Sequence, residues 1–268
     1  MTAPAGQEES GCYTALVMAG TRPGGDPMAR AAGVSHKCLL PVDGRPMIQH
    51  VVEALLRSPS IGRVAVSIEA PEVLEGLPFG EDRARIRTLP SAETPSLSVL
   101  AAIEALGSPL PLLITTADHP LLQPALIERF CREAEAGGAD IAAGLAPASV
   151  IQAAFPESRR TYLKLRDGHF SACNLFALLA PEGLAAVRFW RRVERERKRP
   201  WRIAKAFGLR MLLAYLTGRL TLEAALARIS ALAGARAGAV VLPVAEAAVD
   251  VDKPEDLVLV ESILRRRA

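Results

Sequence analysis

Apolar positions in this chain fall into short solid runs, separated by longer segments in which they recur every three or four residues. Runs at Thr14–Ala19, Arg63–Ile68, Arg85–Thr88, Leu110–Thr115 and Asp140–Gly144 have the length of buried strands. Helical spacing marks Pro46–Arg57, Ser96–Leu106 and Pro124–Ala136, each with a turn residue or a proline near its start, Ser96 reading as an N-cap. Such alternation predicts an α/β fold: a mostly parallel central sheet with helices on both faces. Tyr162–Leu165 and Ser171–Leu178 read as a strand pair joined through Arg166-Asp167-Gly168. A helical block follows from about Glu182 to Leu232, broken near Pro200 and Gly218. Ala237–Pro243 returns to strand character, and Pro254–Arg265 closes the chain as a helix.

Ligands of open α/β sheets sit at the carboxyl ends of the strands. Gly20 follows the first strand there, and Asp118 follows the fourth. Ala19-Gly20-Thr21 opens a polar loop, Arg22-Pro23-Gly24-Gly25-Asp26-Pro27, whose backbone N–H groups suit oxyanions. Arg22 and Lys37 add the positive charge that a triphosphate requires. The loop lacks the Gly-Lys-Ser/Thr ending of a P-loop, and Gly20, Gly24 and Gly25 miss the dinucleotide spacing. Asp118-His119-Pro120-Leu121 places an acid at a strand end, where it either binds Mg²⁺ or caps the turn before Pro120. In Asp250-Val251-Asp252 two acids at alternate positions of an extended segment point the same way. That segment is either a metal strap or the cap of the helix starting at Pro254.

Half the residues are hydrophobic and only 4% aromatic, so the core is built from Ala, Leu, Val and Ile. The net charge of +3 is unevenly spread: Arg188 to Arg219 holds eleven Lys/Arg against two Asp/Glu, a local +9 that leaves −6 for the rest. No apolar run approaches the ~18–20 residues of a membrane span. Residues 1–12 read as a disordered lead-in without signal-peptide character, and residues 13–268 as one domain with a basic helical insertion at 182–232. Four widely spaced cysteines form no zinc or disulfide pattern, which predicts a cytoplasmic protein.

Ala19-Gly20, Lys37, Leu39 to Val42 and Gly44-Arg45-Pro46-Met47-Ile48, with Asp118-His119-Pro120-Leu121 and Asp252-Lys253-Pro254-Glu255-Asp256-Leu257, resemble the signature of GT-A type nucleotidyltransferases. That family includes MobA-like NTP transferase domains: the molybdenum-cofactor guanylyltransferases, the sugar-phosphate nucleotidyltransferases and the cytidylyltransferases of isoprenoid synthesis. Thr21 replaces the second glycine of the signature, and Lys253 a usual threonine. The resemblance implies a Rossmann-like GT-A fold and a Mg²⁺-dependent transfer of a nucleoside monophosphate from an NTP, CTP or GTP first, to a small phosphorylated acceptor. It implies Lys37, Arg22 and Asp118 as catalytic residues. Ala19, Gly20, Thr21, Arg22, Lys37, Ser98 and Asp118 would contact the nucleotide. Asp118 and Asp252, with Asp250 in support, would hold Mg²⁺, and Arg160, Lys164 and Asn174 would line the acceptor site. His36, His50 and His119 show no partner in the sequence and read as structural.

Two alternatives compete. A GT-A glycosyltransferase consuming a nucleotide sugar would carry Asp-x-Asp at the end of the middle strand, where this chain has Thr116-Ala117-Asp118. A non-catalytic, membrane-associated nucleotide-binding protein would not keep Lys37, Asp118 and Asp252. Nucleic acid is not an expected partner, because no stacking platform accompanies the basic block. The block itself reads as a helical cap with solvated cations, or as a peripheral contact through 188–219 with the anionic inner face of a membrane. Homodimerisation and acceptor binding are further readings of it.

Overall fold

A computed structural model describes residues 13–21, 24–196 and 207–267. The expected lead-in 1–12, the break at Pro200 and Arg22 lie outside these residues. The central sheet has the order β10 (Ala237–Val241), β7 (Ile141–Pro147), β9 (Gly168–Leu178), β6 (Leu112–Thr116), β1 (Tyr13–Met18), β4 (Ile61–Ser67) and β5 (Ile86–Leu89), with β8 (Leu163–Leu165) on β9. Pairing is parallel for β1 with β4 and β6, β4 with β5, and β10 with β7. Strand β9 runs against β6, β7 and β8. The β8–β9 hairpin turns at Arg166-Asp167, as the sequence predicts. What periodicity does not show is that β9 threads between β6 and β7.

Side chains alternate between two cores. Tyr13, Ala15, Val17, Val64, Val66 and Leu113 face α2 (Met47–Leu56) and α4 (Pro124–Ala136), while Leu16, Ala65, Leu112 and Ile114 face α3 (Pro95–Ala105) and α6 (Gly183–Glu196). Helices therefore cover both faces of the sheet. The start of α3 differs from expectation: Thr94 is the N-cap, its hydroxyl accepting from Leu97 N at 3.4 Å, and Pro95 takes the first helical position. Ser96 is buried one residue further on, and its hydroxyl donates to Glu194 at the end of α6.

A third core cluster is small but decides where the site lies. It joins Leu40, Val42 and Met47 to Leu121 and to Val249, Val251, Val260 and Ile263. Its floor includes a two-strand ribbon, β2 (Pro41–Val42) and β3 (Arg45–Pro46), turned at Asp43-Gly44, both with positive φ (49° and 77°). The last helix of the described chain, Pro254–Arg267, packs Val260 and Ile263 into this cluster.

Residues 182–232 contribute α6 and two helices at Leu209–Leu216 and Leu222–Ala233, with Gly218 between them at φ 66°. Met211, Ala214, Leu220, Leu222 and Ala225 pack on Leu165 and Phe170 of the β8–β9 hairpin. The Asp167 carboxylate accepts from Leu222 N at 3.0 Å, which fastens the start of the second helix to the hairpin turn. Among the described residues no helix is long and apolar enough to cross a membrane.

Candidate active site

The strand order reverses direction at β1, with β4 and β5 on one side and β6 on the other. A crevice opens at such a switch point, beyond the carboxyl ends of the strands. Ala19 and Gly20 leave β1 there. Ala19 N donates to Ser67 O at 2.9 Å, which keeps the turn on the line of the sheet. Gly20 serves close approach: a Cβ at this position would lie 3.1 Å from Ser91 Cβ and Oγ. Downstream, the Asp26 carboxylate caps the short helix Pro27–Ala31, accepting from Met28 N at 2.8 Å and Ala29 N at 3.1 Å.

Lys37 begins a 3-10 turn, Lys37–Leu39, and Leu40 just beyond it is anchored in the third cluster. Its Nζ lies 2.8 Å from Asp118 Oδ2 and 2.8 Å from Asp252 Oδ1. Three segments separated by as much as 215 residues thus meet at one ammonium. Burial pulls the pKa of this ammonium down, but Asp118 and Asp252 outweigh it and leave the pKa above the ordinary lysine value. Lys37 is therefore charged at any working pH.

The acids are set by alternation. Val249 and Val251 are fully buried, while Asp250 and Asp252 project the other way. Val251 N donates to Asp118 O at 2.9 Å, a bridge that locks the strap against the end of the β6 segment. The two acids have different surroundings. Asp252 is the more exposed, with its side chain 60% accessible against 21% for Asp118. Asp250 is enclosed: Arg160 holds Oδ1, and Asn174 Nδ2 donates to Oδ2 at 3.1 Å. Burial, with the negative charges of Asp252 and Asp118, raises its pKa above the usual carboxylate value.

Arg160 is 8% exposed and also reaches Asp256 Oδ1 at 2.8 Å. Asp256 Oδ2 in turn accepts from Asp252 N at 3.1 Å and Lys253 N at 3.0 Å. Asn174 sits where the β7–β9 register shifts, in a left-handed backbone conformation (φ 49°) that asparagine tolerates better than most residues. The bulge aims its amide at Asp250.

Of the residues expected at the site, Lys37, Asp118, Asp252, Asp250, Arg160 and Asn174 are joined in one network, with Ala19, Gly20 and Thr21 at the adjoining strand end. Lys164 stands exposed on β8. The Ser98 hydroxyl accepts from Ala92 N at 2.8 Å and donates to Thr94 O at 3.1 Å, so it shapes the loop before α3. The buried His119 has its pKa pushed down to about 4 by burial and is neutral near pH 7. His50 Nε2 lies 2.9 Å from Val42 O.

Glu69 was not among the expected residues. Both its oxygens accept from Thr21 N at 3.0 Å, Ser91 Oγ donates to it at 3.2 Å, and His36 Nε2 lies 3.4 Å away. Burial would raise its pKa, but the Thr21 contacts lead a set of opposing effects that bring it below the ordinary value. Its signal in the sequence was positional, two residues past the carboxyl end of β4.

The donor set suits a hard cation. Asp118 Oδ1 is buried with no hydrogen-bond partner among the described residues, beside the accessible carboxylate of Asp252. No group of three or more His, Cys, Asp or Glu among the described residues is placed to hold a metal. Two carboxylates match Mg²⁺, which keeps water and takes phosphate oxygens rather than filling an all-protein cage.

The family model of the MobA-like NTP transferase domain matches residues 15–180, a span that holds the glycine turn, Lys37 and Asp118 and stops short of the Asp250–Asp252 strap. The 2-C-methyl-D-erythritol 4-phosphate cytidylyltransferase of Ralstonia nicotianae is 36% identical over 125 residues, 43% of this chain and 49% of that protein. The chain thus spans about half the length of the curated relative it matches. Among solved structures, a hypothetical transferase from Thermus thermophilus superposes with a TM-score of 0.79 at 34% identity, covering 92% of this chain and 99% of the other. The 4-diphosphocytidyl-2C-methyl-D-erythritol synthase of Anaerococcus prevotii reaches 0.57 at 11% identity, over 96% of this chain and 100% of its own, and shares the fold.

Proposed function

Since the chain belongs to the MobA-like NTP transferase domain family, we propose that it transfers a nucleoside monophosphate from CTP or GTP to a small phosphorylated acceptor, releasing pyrophosphate. One observation carries the reading: an ammonium held by two carboxylates from segments far apart in the chain, beside a carboxylate oxygen that is buried and has no partner among the described residues. The similarity to a cytidylyltransferase supports CTP as the first donor to test.

In this reading Asp118 and Asp252 hold Mg²⁺, which when bound neutralises phosphate charge and orients the leaving group. The strand end at Gly20 faces the phosphates, beside the Thr21 N–H that Glu69 holds, and Lys37 stabilises the charge that grows on them. Arg160 and Asn174 position Asp250, with a contact to each of its carboxylate oxygens. Arg160 is thereby committed to the protein, which leaves Lys164, with the exposed Arg159, as accessible cations of the acceptor patch. A phosphate monoester is already ionised near neutral pH, so transfer rests on positioning and charge neutralisation without a general base. The reaction belongs in the cytoplasm; the buried free thiols Cys38, Cys131 and Cys173 fit a reducing compartment.

The test is a pyrophosphate-release screen of the four NTPs against sugar, polyol and glycerate phosphates with Mg²⁺. One NTP–acceptor pair is expected to release pyrophosphate, and Asp118→Ala to abolish it. Equal release by the variant and the parent would overturn the metal role.

A further inference from the structure

We propose that the outer face of the Leu209–Leu216 helix, with the exposed Arg210 within it and Arg219 just beyond it, docks on an anionic phospholipid surface. The inner face of this helix is accounted for: Met211 and Ala214 pack over Leu165, Phe170 and Ala225. The outer face is not polar, as a surface helix of a globular protein would make it. Leu209, Leu213 and Leu216 recur at i, i+4 and i+7 and are 68%, 50% and 70% exposed. Tyr215 beside them is 39% exposed, and Arg210 is the one charged residue within the helix. Isolated exposed leucines need no explanation, but three on one stripe make a continuous apolar surface.

Charge selects the occupant. From Arg188 to Arg219 the chain carries eleven Lys/Arg against two Asp/Glu. Arg188, Arg192 and Arg195 form an exposed stripe on α6, and Trp190 on the same helix is 60% exposed. Apolar side chains, an exposed indole and clustered cations are the composition of an interfacial helix. A second copy of this chain fits poorly, because a symmetric contact through this face would bring the exposed Arg210 and Arg219 of two copies together. A bilayer also demands no hydrogen-bond match, and the leucine stripe offers none. The docking does not depend on the nucleotidyl-transfer reading.

The experiment is co-sedimentation of the full chain with vesicles of phosphatidylcholine alone or with about 30% phosphatidylglycerol, at about 0.1 and 0.5 M salt. Partition to the anionic vesicles is expected to exceed that to neutral ones at least tenfold and to fall at high salt. Leu213→Glu with Leu216→Glu should lower it about tenfold while leaving the far-UV spectrum, melting temperature and pyrophosphate release unchanged. Arg188→Gln with Arg192→Gln should lower it separately, without touching the leucines. In a Trp201→Phe background, Trp190 emission should shift to the blue on binding. Equal partition to neutral vesicles, or none to either, overturns the proposal. So does a concentration-dependent dimer in sedimentation velocity that Leu213→Glu dissolves, since the stripe would then belong to a second copy.

Discussion

Lys37 has lost most of its water and gained two carboxylates, so its charge is fixed before any substrate arrives. Lys37→Met keeps the stem and removes the ammonium. It is expected to lower kcat by about 100- to 1000-fold, the cost of one preorganised charge contact, measured by pyrophosphate release at saturating NTP. Arg160 is a different kind of residue: it is 8% exposed and bound to Asp250 and Asp256. Arg160→Gln leaves two enclosed carboxylates without their cation, and about 3 kcal/mol of stability should be lost in urea unfolding. Arg160→Lys should recover part of it, since a lysine cannot reach both acids as a planar fork does. Burial pushes the thiols of Cys38, Cys131 and Cys173 up to about 12, so thiolate is scarce at pH 8. In a Cys12→Ser background native protein should resist iodoacetamide and react at three thiols once unfolded, read by mass spectrometry.

Elements were more legible than the contacts between them. Strand runs and helical spacing place β1, β4, β5, β6 and β7 within a few residues of their bounds, because each buried run answers to a local period. Gly20, Asp118 and Asp252 were also readable, since each stands at a strand end or on an alternating segment, and Lys37 was readable as the cation just before the apolar run Leu39 to Val42. Three things were not. The passage of β9 between β6 and β7 is tertiary and leaves no periodic mark. Arg160 looks like any surface arginine until Asp250 and Asp256, 90 and 96 residues away, fold onto it. The Ser98 hydroxyl closes its own loop on Ala92, a bond that its place in the sequence does not show. Helix α6 meets α3 through Glu194 and the buried Ser96, at the helix start that follows this loop. Glu194→Ala should therefore raise the KM for NTP severalfold with little change in kcat, while Glu194→Gln, which keeps an acceptor, should recover most of the affinity. A loss confined to kcat would show that the contact serves something other than nucleotide placement.

At the scale of the whole molecule, the candidate site exists only while the third core cluster holds the chain's late strap against its early turn. Leu40, Val42 and Met47 meet Val249, Val251, Val260 and Ile263 there, and no residue of that apolar set carries chemistry. Stability and site geometry are thus coupled through packing. Ile263→Ala opens a cavity in this cluster and should cost roughly 2–4 kcal/mol. Saturating NTP with Mg²⁺, bound at about 100 times Kd, should raise the stability of the parent by about 2.7 kcal/mol, a shift of several degrees in Tm. Asp252→Asn leaves the cluster intact, so its Tm without ligand should stay near that of the parent while the ligand-induced shift shrinks. Ile263→Ala should do the reverse, starting lower and keeping most of the shift, because the acids are still present to bind. Hydrogen exchange distinguishes the two by location: ligand should protect the amides of Val251, Asp252 and Lys253 in the parent and in Ile263→Ala, and not in Asp252→Asn. If Asp252→Asn kept both the thermal shift and this protection, the strap would be holding the fold together and not the substrate.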